Sequence, residues 1–146
     1  MTISLLKDIN SGSGSSYAFR FGDNYQVKLG DQILFYADDD GSYGYELWTT
    51  DGTTSGTTLL KDINPGSADG FPQDFYQTGD YVYFSAVDGT SGRELWKTDG
   101  TTSGTTFVKD IYPGSSHGSP NDFITLSNGI TTVSYTHLTL PTILRV

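Results

Sequence analysis

One segment of this 146-residue chain occurs twice almost unchanged, 48 residues apart, and this repetition restricts the fold more than any other feature. Residues 46–63 read ELWTTDGTTSGTTLLKDI, and residues 94–111 read ELWKTDGTTSGTTFVKDI. Residues 5–9, LLKDI, match the end of a third copy. A period of this length is typical of solenoids, propellers and arrays, in which each copy is one structural unit.

Each unit contains four short segments with strand character. The first lies within residues 17–29 and recurs after Pro72 and after Pro120, near residues 74–77 and 122–125. The second, ILFYA or VYFSA, is bounded by Gly and Asp turns, the third is ELWxT, and the fourth ends at the repeated KDI. Without any helical period, these segments predict an all-β fold: tandem four-stranded antiparallel blades of a partial β-propeller. A Gly-rich β-solenoid is the alternative.

The period divides the chain into four parts. Residues 1–48 hold the end of one blade and an irregular first repeat, residues 49–96 a second repeat, and residues 97–132 a truncated third. The first unit is longer, because KDI recurs after 54 residues and then after 48. Residues 133–146 depart from the repeat and resemble the translated end of a sequencing adapter, so we expect this tail to be non-native.

Composition excludes several classes of function. The net charge is −9, because 15 Asp and 2 Glu outnumber 8 Lys and Arg, and an acidic chain is a poor partner for nucleic acid, which needs a basic footprint. No apolar run is long enough to span a membrane, so membrane insertion is not expected. The absence of cysteine excludes disulfides and Cys-based zinc sites.

The repeated block resembles the ELWxxDGT repeat family of bacterial proteins. The motif consists of Glu46, Leu47, Trp48, Asp51, Gly52 and Thr53, and again of Glu94, Leu95, Trp96, Asp99, Gly100 and Thr101. The resemblance covers residues 5 to about 130. It implies a secreted or surface-attached protein with propeller-like blades, and it supplies no catalytic residues.

Calcium is the one cofactor that the sequence suggests. Asp38, Asp39 and Asp40 precede Glu46 closely, and Asp88 stands in a thinner version of the same arrangement before Glu94. Carboxylate oxygens suit Ca²⁺, but the glycine that an EF-hand requires at its sixth position is replaced by Tyr43. The alternative interpretation is that these Asp residues close hairpins through Asx turns.

The motif residues themselves favour structural roles. Glu46 and Glu94 are the only glutamates, which suggests that each carboxylate accepts hydrogen bonds from a neighbouring loop. A glycosidase pair is the sharper alternative, although repetition would set the two acids in equivalent places on successive blades. The two tryptophans are expected in the core between blades, with stacking on a sugar ring as the alternative. The Asp-Gly-Thr segments are expected to be structural turns.

These observations predict a non-enzymatic, extracellular repeat module used for adhesion or ligand binding. Its partners would be a surface glycan or protein and the neighbouring repeats of a longer chain, with loops between strands providing the contacts. The alternatives are a fragment of a propeller-type carbohydrate-active enzyme and a calcium-dependent adhesin. The lone loop histidine, His117, offers no catalytic triad, and His137 lies in the tail.

Overall fold

The computed structural model describes residues 5–16, 25–39 and 41–135, and within these ranges the protein is all-β, as the sequence predicted. Its ten strands are β1 Gln26–Leu29, β2 Gln32–Asp38, β3 Tyr45–Thr50, β4 Thr58–Lys61, β5 Gln73–Thr78, β6 Tyr81–Val87, β7 Arg93–Thr98, β8 Thr106–Lys109, β9 Asn121–Thr125 and β10 Thr131–Ser134. The described part contains no helix, and therefore none that is long and apolar enough to cross a membrane.

The strands form three antiparallel sheets in chain order. Sheet 1 is β1-β2-β3-β4, sheet 2 is β5-β6-β7-β8, and sheet 3 is the pair β9-β10. The pairing repeats in register: Phe35 lies opposite Trp48 in sheet 1, and Phe84 lies opposite Trp96 in sheet 2. The predicted four-stranded antiparallel unit is therefore confirmed twice. None of these sheets closes on itself in the ranges described.

Tight turns connect the first two strands of each sheet. Gly30-Asp31 and Gly79-Asp80 link them, and both glycines have positive φ, 59° and 57°. A glycine adopts this conformation without steric cost, and two-residue hairpins need it. This end of the sheets, with the loops at 51–57 and 99–105, is called the hairpin end. The opposite end carries the linkers, residues 62–72 and 110–120, and is called the linker end.

Sheets 1 and 2 pack face to face around a shared apolar core. Sheet 1 contributes a stripe from its inner strands and the start of its linker, and sheet 2 contributes the opposing stripe with Trp96. The buried members are Leu34, Leu47, Leu60, Ile63, Phe75, Val82, Phe84, Ala86 and Trp96. The first strands of neighbouring sheets also contact each other, β1 with β5 and β5 with β9. The sheets are thus stacked side by side, with the face of sheet 1 that carries Leu34 and Leu47 against the face of sheet 2 that carries Phe84 and Trp96.

The outer face of sheet 1 is covered by an N-terminal segment, residues 5–16. Phe35, Ala37 and Trp48 form a second buried cluster, against which Ile9 packs. Phe35 and Trp48 correspond to Phe84 and Trp96, so both tryptophans face the preceding part of the chain. Each sheet therefore uses the same face to contact what comes before it.

The sequence divisions at residues 48 and 96 fall inside β3 and β7, so they mark the sequence period rather than the edges of sheets. Strand β10 crosses the proposed start of the tail at residue 133, and Val133 is only 2% exposed. The non-native origin of residues 133–146 stays a prediction. The early part of the first strand expected within residues 17–29 lies outside the described residues up to position 24.

Candidate functional site

The two glutamates of the motif each hold a linker in place. Glu46 is fully buried, and its carboxylate accepts hydrogen bonds from the backbone N–H groups of Ile63 at 2.8 Å and Asn64 at 3.0 Å. Glu94 is buried in the same way and accepts from Ile111 and Gly118, each at 2.8 Å. The interpretation that these carboxylates bind a neighbouring loop is therefore confirmed.

Burial changes the ionisation of both glutamates. Desolvation raises the pKa of Glu46 from 4.5 to about 8, against the opposing effect of the backbone N–H donors, and the charge of Asp62 raises it further. Desolvation also raises the pKa of Glu94, with Asp110 in the place of Asp62. A buried charge is costly unless it is compensated, so burial shifts both groups towards the neutral acid.

The Asp-Gly-Thr segments form identical turns at the hairpin end. Asp51 accepts hydrogen bonds from the backbone N–H of Thr53 at 2.9 Å and from its hydroxyl at 2.7 Å. Asp99 makes the same two bonds to Thr101, at 2.9 and 2.7 Å. Gly52 and Gly100 have positive φ of 85° and 87°, as the turn requires. These internal hydrogen bonds are those expected of the structural turns that the sequence predicts.

A threonine in each of these loops fastens one unit to the preceding one. The Thr102 hydroxyl donates to the Leu60 carbonyl of sheet 1 at 2.9 Å. The equivalent Thr54 hydroxyl donates to the Leu6 carbonyl of the N-terminal segment at 2.7 Å. The second threonine of Asp-Gly-Thr-Thr is thus a contact between units, a role that the sequence did not reveal.

The tryptophans lie in the cores between units. Trp48 and Trp96 are 7% and 8% exposed, and in each case the indole Nε1 is buried without a hydrogen-bond partner among the described residues. The adjacent Leu47 and Leu95 are fully buried. The interpretation of the tryptophans as core residues is confirmed, and neither ring presents an open face to a sugar.

The proposed calcium ligands act as turn-forming residues where they are described. Asp38 accepts from the Gly41 N–H at 3.1 Å, and Asp39 accepts from the N–H groups of Ser42 and Tyr43. Asp88 accepts from Thr90 and Ser91. Asp40 lies outside the described residues, and the rest of the described chain brings no three His, Asp or Glu side chains together at metal-binding distances. Calcium binding stays a hypothesis.

At the linker end the two units have the same frame but different surface residues. Both linkers follow the same path, and in both a side chain accepts the N–H of the first residue of the third strand. In the first linker Asp69 Oδ1 accepts from Tyr45 N at 3.0 Å, and in the second His117 Nδ1 accepts from Arg93 N at 2.8 Å.

The surfaces of the linkers are not alike. Phe71, 41% exposed, stacks on Tyr45 in the first linker, with ring centroids 5.2 Å apart. In the second linker a cavity of about 390 Å³ is lined by Tyr112, Ser115, Ser116 and His117. Tyr112 is 40% exposed. An aromatic ring beside hydroxyl and imidazole groups can both stack on and hydrogen-bond to a polar ligand.

A second concave site, which the sequence did not predict, lies between the first strands of sheets 2 and 3. A cavity of about 220 Å³ is lined by Asp74, Phe75, Tyr76, Asn121, Asp122 and Phe123. Asp74 and Asp122 have positive φ, 57° and 49°. Their carboxylates accept from the hydroxyls of Ser85 and Ser134, at 3.2 and 3.3 Å. The available signal was the repeated Asp-Phe that follows Pro72 and Pro120 by two residues.

Known proteins offer no assignment for either site, since no protein-family model, no curated protein and no solved structure matches this chain.

Proposed function

We propose that this chain is a non-enzymatic binding module of a secreted or cell-surface repeat protein, built as part of a β-propeller and binding its ligand at the linker end. The ligand class is a glycan or a protein surface. Stacked four-stranded sheets whose first strands contact one another support the propeller arrangement.

One observation carries the binding role: the repeated motif side chains build the fold, whereas four surface positions of the linkers differ on a constant frame. Glu46 and Glu94, Asp51 and Asp99, and Thr54 and Thr102 all make equivalent internal hydrogen bonds. The variable positions are Asn64, Ala68, Asp69 and Phe71 in the first linker, and Tyr112, Ser116, His117 and Ser119 in the second. Variation in surface connections on a rigid scaffold is typical of binding proteins.

The chain supplies its own control for a binding test. The variant Y112N/S116A/H117D/S119F gives the second linker the surface residues of the first. Ser119 and Phe71 share a left-handed backbone, with φ of 47° and 44°, so the new phenylalanine has a structural precedent. We expect the melting temperature to change by no more than about 2 °C.

The measurement is binding of the labelled chain to a glycan microarray and to immobilised extracellular matrix proteins. We expect a bound species that is lost with the linker variant and kept with Ile33→Thr, a change of an exposed residue outside the linkers. Absence of any bound species, or binding that the linker variant leaves intact, would contradict the proposal.

A carbohydrate-active enzyme is the second candidate, and the cavity between β5 and β9 favours it. Two carboxylates from successive units, Asp74 and Asp122, line this one cavity. Paired carboxylates are the usual groups of glycoside hydrolysis. If the cavity is catalytic, the chain will release nitrophenol from nitrophenyl glycosides, and D74N and D122N will each abolish that release.

The calcium hypothesis has a separate test. A ligand that binds only the folded state raises the free energy of unfolding by RT ln(1 + [L]/Kd), and the melting temperature rises with it. A rise in melting temperature with CaCl₂ that EDTA reverses would support a calcium-dependent adhesin. Equal melting temperatures in both solutions would remove calcium from the proposal.

A further inference from the structure

The N-terminal segment repeats the sequence of a fourth strand but belongs to no sheet in the part of the chain that the structure describes. Residues 5–9 repeat the sequence of β4 and the start of its linker, yet within the described chain they pair with no other strand. Leu5 is 80% exposed, whereas the equivalent Leu59 is half-buried in sheet 1. The segment therefore leaves backbone groups unpaired within the described chain, and an extended edge of this kind readily pairs with a strand.

The position of this segment matches that of a true fourth strand. Leu6 accepts the Thr54 hydroxyl just as Leu60 of β4 accepts the Thr102 hydroxyl. Ile9 packs on the cluster that contains Trp48, as Ile63 packs with Trp96. The segment thus contacts sheet 1 in the way that β4 contacts sheet 2.

Two backbone N–H groups of the N-terminal segment indicate which side chain its partner would supply. In sheet 1 the N–H groups of Ile63 and Asn64 donate to Glu46 of the adjacent third strand. The equivalent donors are the N–H groups of Ile9 and Asn10, for which no acceptor is found among the described residues, although Asn10 is only 5% exposed. A buried N–H without an acceptor is costly, so a carboxylate at this point would be favourable.

We propose that Leu5–Asp8 is a docking edge for the third strand of a further repeat, an extended segment with the sequence Glu-Leu-Trp-x-Thr. Sheet 1 supplies the register, in which Trp48 lies opposite Leu59 and Leu47 opposite Lys61. The incoming tryptophan then lies opposite Leu5, the leucine opposite Lys7, and the glutamate accepts the N–H groups of Ile9 and Asn10. This inference rests on the repeat architecture of the proposed function but does not depend on the linker ligand.

A second folded copy of this chain does not fit the edge. Its two strands of this sequence, β3 and β7, are each paired on both sides within their own sheets. The occupant is therefore a repeat other than the two that form sheets 1 and 2. The hairpin of residues 81–98, which ends in a Glu-Leu-Trp strand, serves as a peptide probe for it.

Disulfide trapping tests the register, because the chain contains no cysteine. Leu5→Cys is placed in the chain, and the peptide carries W96C as an activated mixed disulfide. Exchange should be about tenfold faster, or more, than with the peptide carrying K97C, since pairing raises the effective concentration of the matched thiols. Equal rates for the two peptides would overturn the proposed register.

Amide chemical shifts test the glutamate. Adding the peptide with its native sequence should move the Ile9 and Asn10 amide protons of the unmodified chain downfield and slow their exchange with solvent. The peptide with E94A should leave both amides where they were. Unchanged amides with the native peptide would overturn the proposal, whereas loss of linker binding in the microarray experiment would leave it standing.

Discussion

At the scale of single residues, this protein places its scarce glutamates where a carboxyl group holds backbone rather than solvent. Glu46 and Glu94 each accept two backbone N–H groups from a linker while fully buried. The carboxyl group therefore takes the place of water as hydrogen-bond acceptor for linker N–H groups that are not paired in a sheet. The stability of the fold therefore depends on whether these carboxyl groups are protonated.

The raised pKa of Glu46 predicts a stability that falls as the pH rises. Between 4.5 and about 8 the folded state keeps a proton that the unfolded state has lost. The folded state binds more protons in this window, so the free energy of unfolding decreases by up to about 1.4 kcal/mol per pH unit for this group. Urea unfolding measured at intervals from pH 5 to pH 8 gives the slope, and Glu46→Gln should reduce it. A slope in the variant equal to that of the native chain would exclude Glu46 as its source.

The equivalence of His117 and Asp69 makes a second prediction. Each side chain accepts the N–H of the first residue in the third strand. His117→Ala removes the acceptor and should lower the free energy of unfolding by about 1 kcal/mol. His117→Asp restores the arrangement of the first linker and should cost less than half as much. Equal losses for the two variants in urea unfolding would show that the hydrogen bond contributes nothing.

At the scale of elements, each linker is fixed by close contact between a glycine and the buried glutamate. A Cβ atom added at Gly118 would lie 2.6 Å from Glu94 Oε2, and one added at Gly70 would lie 2.5 Å from Glu46 Oε1. The carboxyl groups cannot retreat, because they are enclosed. Glycine is therefore required here for space, and not for a positive φ.

Gly118→Ala should consequently destabilise the chain by more than Gly114→Ala. Gly114 has a φ of 107° and nothing within 4 Å, so that its replacement reports only the backbone strain, about 1 kcal/mol. In the background of Glu94→Ala the collision at position 118 disappears, and Gly118→Ala should add little. Chemical denaturation of the four chains closes the double-mutant cycle. A coupling energy of zero would contradict direct contact between Gly118 and Glu94.

The strands could be predicted from the sequence, whereas the linker geometry could not. Short β-branched and aromatic runs between Gly and Asp turns identify β2 and β6 directly, because those properties are local. Gly118 and Glu94 are 24 residues apart, and nothing in the sequence between them specifies the contact. The equivalence of Asp69 and His117 could not be predicted either, because the only property the two side chains have in common is that each supplies a hydrogen-bond acceptor.

At the scale of the whole molecule, the repeat period predicted stacked sheets but not the structural differences between them. The motif predicted tryptophans in the cores between units, and Trp96 packs in the core between sheets 1 and 2 as expected. The strained backbone at Asp74 and Asp122 was not visible, because it depends on how β5 pairs with β6 and β9 with β10, where the register shifts. The cavity at those positions follows from the pairing of strands, which the residue types alone do not determine.

The sheets differ in size and in how many neighbours they pack against, so we expect their stability to differ along the chain. Sheet 2 packs against a neighbour on each side, whereas sheet 3 is a single pair of strands, and an isolated pair is marginally stable. In repeat proteins stability is roughly the sum of units and their interfaces. We therefore expect the slowest amide exchange in β6 and β7, and the fastest in β9 and β10.

Replacing one tryptophan at a time tests the role of the interfaces. Trp96→Ala empties the core between sheets 1 and 2 and should cost about 3–5 kcal/mol, with faster exchange in both sheets. Trp48→Ala affects the cluster under the N-terminal segment, so exchange should rise in sheet 1 and in residues 5–16 while β9 and β10 change little. Deuterium uptake followed by mass spectrometry resolves these regions. If both variants raise exchange uniformly from residue 25 to residue 135, the chain unfolds as one cooperative body, and the description of stacked units with separate interfaces is wrong.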